Sequence, residues 1–530
     1  MRFLIINPYY SISETPSPPL GLAYIAAALE RVGIEVKILD LVVFPYSRQL
    51  LESVLKNFAP KIVGTTAVTM TFDNSIDVIK EIKSIDPSIV TVMGGPHVTF
   101  CAKETMSMFP ELDYIVLGEG EETITELASA VDEGRDVSGI EGIVFRGKSG
   151  IVDNGPRKKR IDVDSLPLPA RHLLPLGRYR ALGMPVSMTT SRGCPFKCIF
   201  CVGRKMVGAK VRYRNPQNVV DEMEHLAAFG FRQINVADDL FTSNENHCLK
   251  VCDEIIRRGL LIKWTSFARV DTVSVKVLKR MREAGCHTVS FGVESGNRDI
   301  LKRIKKGITL EQVTDAVKMC NEAGVSPHAS FILGLPGETP ETLKETVEFG
   351  NKIKEMGVSH GFHLLAPFPG TEVREEKEKY DIRFLSDDWR DYHANRAIVE
   401  TSSVTRKMLD DIVIGWEDKF NGWLGYIRER IKSGEASEEE AWPLVNLERI
   451  VLVYDLMMGG IVEKMGVYEC ETASSASEAL GIFADRMAGS VKQSRDEILS
   501  VLNYEVSEGN LKLRFNNGKY NLEWIDYLKQ

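Results

Sequence analysis

Two successive regions of the chain alternate short, almost unbroken apolar runs with longer amphipathic stretches, and this rhythm constrains the fold most. In the first region the apolar runs lie at 3–7, 35–39, 62–66, 90–94 and 114–117, with helical patterns such as 20–32 and 72–85 between them. Strands buried on both faces read this way, and helices between consecutive strands make them parallel. Residues 1–145 therefore predict an α/β domain with a doubly wound parallel sheet. Glycines follow its strand ends at Gly94-Gly95 and Gly118-Glu119-Gly120, on the carboxyl edge where such sheets bind ligands. Thr65, Thr66, Gly94, Gly95 and Gly118 are the candidate ligand edge.

The second region, 181–380, carries candidate strands at 186–190, 233–237, 264–269, 288–293, 329–334 and 363–366, separated by helical patterns. Six β/α units predict a parallel barrel or partial barrel, with site residues at the carboxyl ends of its strands. Residues 146–180 are rich in Gly, Asp, Asn and Pro and read as a linker. Its basic run, Arg157 to Arg160, is most simply a solvated face. Residues 381–530 read as mainly helical. There Trp416, Trp423 and Trp442 at helical spacings suggest core, and Asn516-Asn517-Gly518 predicts a hairpin turn.

Lys plus Arg number 66 against 74 for Asp plus Glu, a formal charge of −8, which excludes a broad electrostatic hold on nucleic acid. Hydrophobic residues, at 44%, suffice for large cores and exclude disorder as the main theme. No stretch approaches the length of apolar chain that spans a bilayer. The opening MRFLIINPYY lacks the pattern of a signal peptide. A cytoplasmic protein is expected, with peripheral membrane contact left open. Nine cysteines, an odd number, argue against a disulfide framework. Six of them (Cys101, Cys248, Cys252, Cys286, Cys320 and Cys470) sit among apolar neighbours and read as small core residues.

The other three, Cys194, Cys198 and Cys201, lie within the run CPFKCIFC, joined to the first barrel strand by Ser191-Arg192-Gly193. Three thiolates in one loop suit one soft metal centre. Zinc would want a fourth ligand nearby, and the next histidine, His225, falls inside a helical pattern. A four-iron cluster with one iron left open needs three.

This spacing, with Phe200 before the last cysteine, resembles the signature loop of the radical S-adenosylmethionine (SAM) enzymes. The resemblance implies a [4Fe–4S] cluster on Cys194, Cys198 and Cys201, with SAM on the open iron and reductive cleavage of SAM to a 5′-deoxyadenosyl radical. Asp238 and Asp239 end the second strand, where the family holds the SAM ammonium; a helix cap or turn is the plainer reading. Arg269 either clamps the SAM carboxylate or pairs with Asp271. Glu294, in FGVESG, is implied at the SAM ribose or methionyl part. Ile332, in FILGLPGE, is implied along the adenine, or is plain barrel core.

Residues 1–145 resemble the cobalamin-binding domain that precedes the barrel in one branch of this superfamily. The features are Asn7-Pro8, PPLGLAY at 18–24, GGPHVT at 94–99 and GEGE at 118–121. The Asp-x-His-x-x-Gly pattern that gives cobalt a histidine in many corrinoid proteins is missing from this domain. His97 thus reads as a loop histidine near the cofactor rather than as a ligand. The GEGE segment lacks a third glycine and does not follow the first strand, so a nicotinamide cofactor is discounted. The combined resemblance, to the cobalamin-binding radical SAM family, covers about 1–375. It implies methyl transfer to an unactivated carbon by way of methylcobalamin and the deoxyadenosyl radical. It also implies a flavodoxin or ferredoxin as electron donor. The alternatives are a non-methylating relative of the ring-forming or oxygen-inserting tetrapyrrole type, and a corrinoid carrier or sensor with a vestigial barrel. The substrate is open among lipid, tetrapyrrole, peptide and small metabolite.

Overall fold

The computed structural model describes residues 1–10, 16–393, 395–470 and 475–528. β1 (Arg2–Asn7) sends alternate side chains into two cores. Phe3 and Ile5 pack with Leu22, Ala26 and Ile124, whereas Leu4 and Ile6 pack with Leu51, Ile76 and Ile79. This period of two puts helices on both faces of the sheet. β1 runs parallel between β2 (Glu35–Asp40) and β3 (Ile62–Thr66), and β4 (Val90–Gly94) and β5 (Tyr114–Val116) continue outward from β3. The order β2-β1-β3-β4-β5 reverses between β1 and β3, opening a crevice at the carboxyl edge there. Beyond β5 an antiparallel hairpin, β6 (Ile143–Gly147) and β7 (Gly150–Asp153), extends the sheet to seven strands. The first sheet thus runs past residue 145, because β7 is a half-exposed edge strand whose polar residues do not read as buried sheet.

The second region opens with β8 (Val186–Met188). A two-stranded antiparallel ladder follows, β9 (Ser191–Arg192) with β10 (Arg212–Tyr213). Then come β11 (Gln233–Val236), β12 (Lys263–Ala268), β13 (Cys286–Glu294), β14 (Ser326–Leu333) and β15 (Ser359–Leu364). β8 and β11 to β15 form one parallel six-stranded sheet whose edges, β8 and β15, are unpaired with each other: a partial barrel. β15 starts four residues before the expected strand, because Ser359-His360-Gly361 is polar yet pairs in register with β14. On β14 the side chains of Ala329, Phe331 and Leu333 are buried under the helices, while His328, Ser330 and Ile332 are half-buried on the other face. That inner face is polar: Thr265 donates to Asn235 Oδ1 at 2.8 Å, as does Gln233 at 3.2 Å. A closed eight-stranded barrel fills this space with bulky apolar side chains.

The C-terminal region is mainly helical, as expected, with Leu511–Asn516 and Lys519–Trp524 forming the hairpin. Asn517 and Gly518 have φ of +50° and +70°, the two left-handed residues that a type I′ turn requires. Leu456, Phe483 and Trp524 share a core with Tyr179, Leu182 and Met184, so this region closes against the segment that enters the barrel. The tryptophans depart from expectation. Trp416, Trp423 and Trp442 are 42%, 40% and 53% exposed. Trp416, Phe420 and Trp423 stack along the helix Arg406–Lys432. Their spacing makes a stripe, but this chain packs against that face only near Leu409 and Ile427. No helix among the described residues is long and apolar enough to cross a membrane. Among the described residues no cysteine is in a disulfide, and Cys248, Cys252, Cys286 and Cys320 are buried.

Gly177 marks the tightest joint. Its N–H donates to Asp526 O at 2.9 Å, and a Cβ there would lie 1.5 Å from Ile525 O. Gly177→Ala is expected to cost about 1–3 kcal/mol and to free the C-terminal strand, read as a lower melting temperature and faster proteolysis after residue 510.

Candidate active site and cofactor cavity

The cysteine loop has little secondary structure of its own and is held from all sides. The β9–β10 ladder closes its base. Gly193 enters it at φ +125°, where a Cβ would strike Lys210 O at 2.4 Å. Cys194 N–H donates to Gly208 O at 3.1 Å and Ile199 N–H to Ile304 O at 3.1 Å. Gly203 N–H points at Cys201 Sγ, 3.3 Å away. Burial pushes all three thiols up, while the charges of Arg269 and Lys306 pull Cys194 and Cys198 back down. Metal binding would replace these protons. Among the described residues no three His, Cys, Asp or Glu side chains converge as they would around a single ion. A donor set of three thiols spread along one loop instead fits a multinuclear cluster, which takes one thiolate per iron.

The residues expected around SAM divide. Asp238 is buried and fully engaged: its carboxylate accepts from Thr190 N (2.6 Å), Thr190 Oγ1 (2.5 Å) and Ser191 Oγ (2.7 Å). Through these bonds it braces the start of the cysteine loop. Asp239, on the opposite side of the chain, is exposed and accepts only from Gly193 N–H at 3.3 Å, with its charge felt at Cys194 and Cys201. Arg269 makes the pair with Asp271 that is one of its two readings. It grips Asp271 with two bonds of 2.9 Å, donates to Lys306 O at 2.9 Å, and lies 3.5 Å from the ring of Phe196 in the cysteine loop. Its guanidinium is spent on holding that loop by a cation–π contact.

Glu294 sits at a β-bulge with φ +72°, a left-handed conformation that costs a non-glycine residue strain and recurs at functional sites. Its Oε1 accepts from Lys306 Nζ at 2.7 Å, both side chains being 9% exposed. A Cβ on Gly292 would lie 2.4 Å from Glu294 Oε1 and 2.9 Å from Lys306 Nζ, so the glycine makes room for this pair. Lys306 was not among the sequence candidates. The signal is Lys305-Lys306-Gly307, where Lys305 (φ +57°) and Gly307 (φ +70°) turn the chain back toward the thiols. Ile332 is half-buried on the inner face of β14, as either reading of it requires. Glu338 caps the turn after β14, accepting from Gly334 N–H (2.7 Å) and Leu335 N–H (3.0 Å).

A cavity of about 490 Å³ opens at the β1/β3 reversal. Thr65, Thr66, Gly94, Gly95 and Gly118, the expected ligand edge, all line it, with Met206 and Val207 from just beyond the cysteine loop as part of its wall. Two observations fit a large ligand. Among the described residues, Thr65 Oγ1 is buried without a hydrogen-bond partner. Gly95, at φ +103°, passes Ala67 O so closely that a Cβ would lie 2.6 Å from it. His97 follows Gly95 and Pro96 of the cavity wall but does not itself line the cavity. Its buried ring stacks on Phe72 at 4.1 Å and meets Trp389 edge-on at 4.8 Å. Burial and the Arg374 charge push it down to about 4, so it stays neutral. The basic run is also engaged: Arg157 pairs with Glu122 at 3.1 Å, and Arg160 Nη1 donates to Met206 O at 2.7 Å. Arg160 thus ties the first domain to the cysteine loop, while Lys158 and Lys159 stay exposed as a solvated face.

Residues 188–350 match the Radical SAM superfamily and residues 12–128 the B12 binding domain. The chain is 37% identical over 421 residues to the uncharacterised methyltransferase PH0819 of Pyrococcus horikoshii, covering 78% of this chain and 91% of that one. The chain belongs to the cobalamin-binding radical SAM family. It is an enzyme, and its cofactors are a [4Fe–4S] cluster, SAM and cobalamin. It is also 33% identical over 401 residues to the anaerobic magnesium-protoporphyrin IX monomethyl ester cyclase of Rubrivivax gelatinosus, covering 72% of each. The cobalamin-dependent SAM radical enzyme OxsB, solved with aqua-cobalamin and SAM, superposes with a TM-score of 0.69 over 96% of this chain and 79% of that one, at 19% identity. The shared fold thus includes the C-terminal region.

Two outcomes check this site. Asp238→Ala removes three bonds to a charged acceptor, each worth about 1.5–3 kcal/mol; anaerobically reconstituted protein should then retain less iron per chain than wild type. Burial pushes the Glu338 carboxyl up to about 8 from 4.5. The folded chain therefore keeps a proton that the unfolded chain loses first. Its contribution is full below about pH 4.5 and is lost as pH rises to about 8, at up to about 1.4 kcal/mol per pH unit. Urea unfolding at several pH values should show Glu338→Gln gaining stability relative to wild type across that window.

Proposed function

We propose that this enzyme transfers a methyl group to an unactivated carbon of its substrate, using SAM both as methyl source and as radical source. The observation that carries this reading is the shared wall: Met206 and Val207, which follow Cys201 by a few residues, line the same cavity as Gly94 and Gly118 of the first sheet. The cluster and the corrinoid thereby address one substrate space. When bound, the cluster supplies the electron that cleaves SAM, and cobalamin carries the methyl group. The chain's own tasks are to hold, orient and exclude solvent. Cys194, Cys198 and Cys201 ligate iron. Asp239, exposed beside them, takes the SAM ammonium, and Lys306 with Glu294 takes its carboxylate and ribose. Ile332 lies along the adenine, and Thr65, Thr66, Gly94, Gly95 and Gly118 receive the corrinoid tail. An electron donor of the flavodoxin or ferredoxin class reduces the cluster, and the reaction takes place in the cytoplasm.

The identity to the cyclase relative favours a second reading, in which the same cofactors serve ring formation or oxygen insertion. Product analysis separates the two. Methyl transfer yields S-adenosylhomocysteine together with 5′-deoxyadenosine and a substrate heavier by one methylene. The second reading yields 5′-deoxyadenosine alone, and that result would displace the first. A protein that binds iron yet never cleaves SAM would point to a carrier. Lys306→Met should raise the KM for SAM about tenfold while iron content stays at the wild-type level.

A further inference from the structure

Glu119 lies in the turn after β5, where Gly118 adopts φ +64°, and its side chain is 8% exposed. Its Oε1 accepts from Arg192 Nη1 at 3.2 Å and Arg212 Nη2 at 3.0 Å. These arginines face each other across the β9–β10 ladder, and Arg192 stands two residues before Cys194. Arg192 Nη1 also donates to Glu121 Oε1 at 2.7 Å, while Arg212 donates to Ile161 O at 2.6 Å and Val207 O at 2.8 Å. One carboxylate of the first domain therefore ties both arms of the ladder that closes the cysteine loop. Its other oxygen, Oε2, is buried and has no hydrogen-bond donor among the described residues; Arg160 Nη1 is 3.7 Å away.

Glu119 also lines two cavities, the large one described above and a neighbour of about 350 Å³ bounded by Thr99, Lys159, Arg160 and Lys205. A buried charged acceptor with an unused lone pair is costly unless something supplies a donor. A further cation would add to the arginines already gathered there, and an anion would meet the carboxylate. A neutral N–H donor fits, and corrinoids carry a rim of primary amides. We propose that Glu119 is a positioning residue that couples corrinoid occupancy to the cysteine loop: Oε2 takes an amide N–H from the corrin rim while Oε1 holds Arg192 and Arg212. This rests on the reading that cobalamin occupies the large cavity.

The test uses the full chain, reconstituted anaerobically with iron and sulfide, without SAM or substrate. Hydroxocobalamin is titrated by absorbance, and hydrogen–deuterium exchange follows the peptides spanning 191–213 with and without it. In wild type, corrinoid binding should slow exchange in this segment. Glu119→Ala should weaken binding about tenfold and abolish the slowing. Glu119→Gln keeps the shape of the side chain without its charge, so it carries the test if the alanine variant fails to fold; it should show the same two losses in smaller measure. Wild-type affinity in both variants overturns the proposal. So does weakened affinity with the slowing intact, because Glu119 would then be a contact without coupling. A wild-type protein that takes up no corrinoid overturns the cofactor assignment itself, an outcome seen before any variant is made.

Discussion

Everything in this enzyme depends on keeping three thiols at fixed positions on a loop that cannot hold itself. Helices and strands satisfy their own backbone groups; a loop must borrow partners. Here they come from four directions. Asp238, at the end of β11, anchors Thr190 and Ser191 at the entrance. Arg269, after β12, presses on Phe196. The turn after Glu294 receives Ile199 through Ile304 O, and Gly208 O receives Cys194. Two of these restraints, Asp238 and Arg269, sit just beyond the carboxyl ends of the adjacent strands β11 and β12. A reactive site built this way inherits the rigidity of the sheet beneath it.

The same loop sets how the first domain sits. Arg192 and Arg212 flank it and reach across to Glu119 and Glu121, while Arg160 of the connecting segment caps the carbonyls of Lys205 and Met206. Charged contacts between domains are strongly directional when desolvated, and removing one partner leaves the other buried and unpaired. They fix an orientation in a way that an apolar contact, tolerant of sliding, does not. One set of the chain's interdomain charges, Arg160, Arg192 and Arg212, thus lies beside the three cysteines.

How much of this was legible in the sequence follows from how local each signal is. The alternation of cores along Phe3 to Ile6, the hairpin at Asn517-Gly518 and the cysteine triplet are set by neighbours within a few residues, and each was readable. Strand-end glycines were readable too, because a left-handed φ such as that of Gly95 or Gly118 admits few other residues. What a side chain does after the fold forms was not. Asp238 and Asp239 are adjacent and chemically identical, and nothing local says which is spent on the backbone. Lys306 lies twelve residues from Glu294, and only the bulge at Gly292 brings them together. The exposed Trp416–Trp423 stripe has the spacing of a core helix, since helical period records which residues share a face and not whether anything covers it.

The open barrel gives this arrangement its chemical purpose. A closed eight-stranded barrel packs its interior with branched side chains and leaves reactions to the rim. Six strands leave β8 and β15 apart, and the inner face can stay polar, with Asn235, Thr265 and Gln233 bonded to one another rather than to an apolar filling. A ligand as large as SAM then has room along the strand ends. The cost is that the interior polar groups need partners when nothing is bound. The side chains supply these for each other, as His287 does for Gln233 at 3.1 Å. Bonded to one another, these side chains fix the polar inner face of the barrel in place.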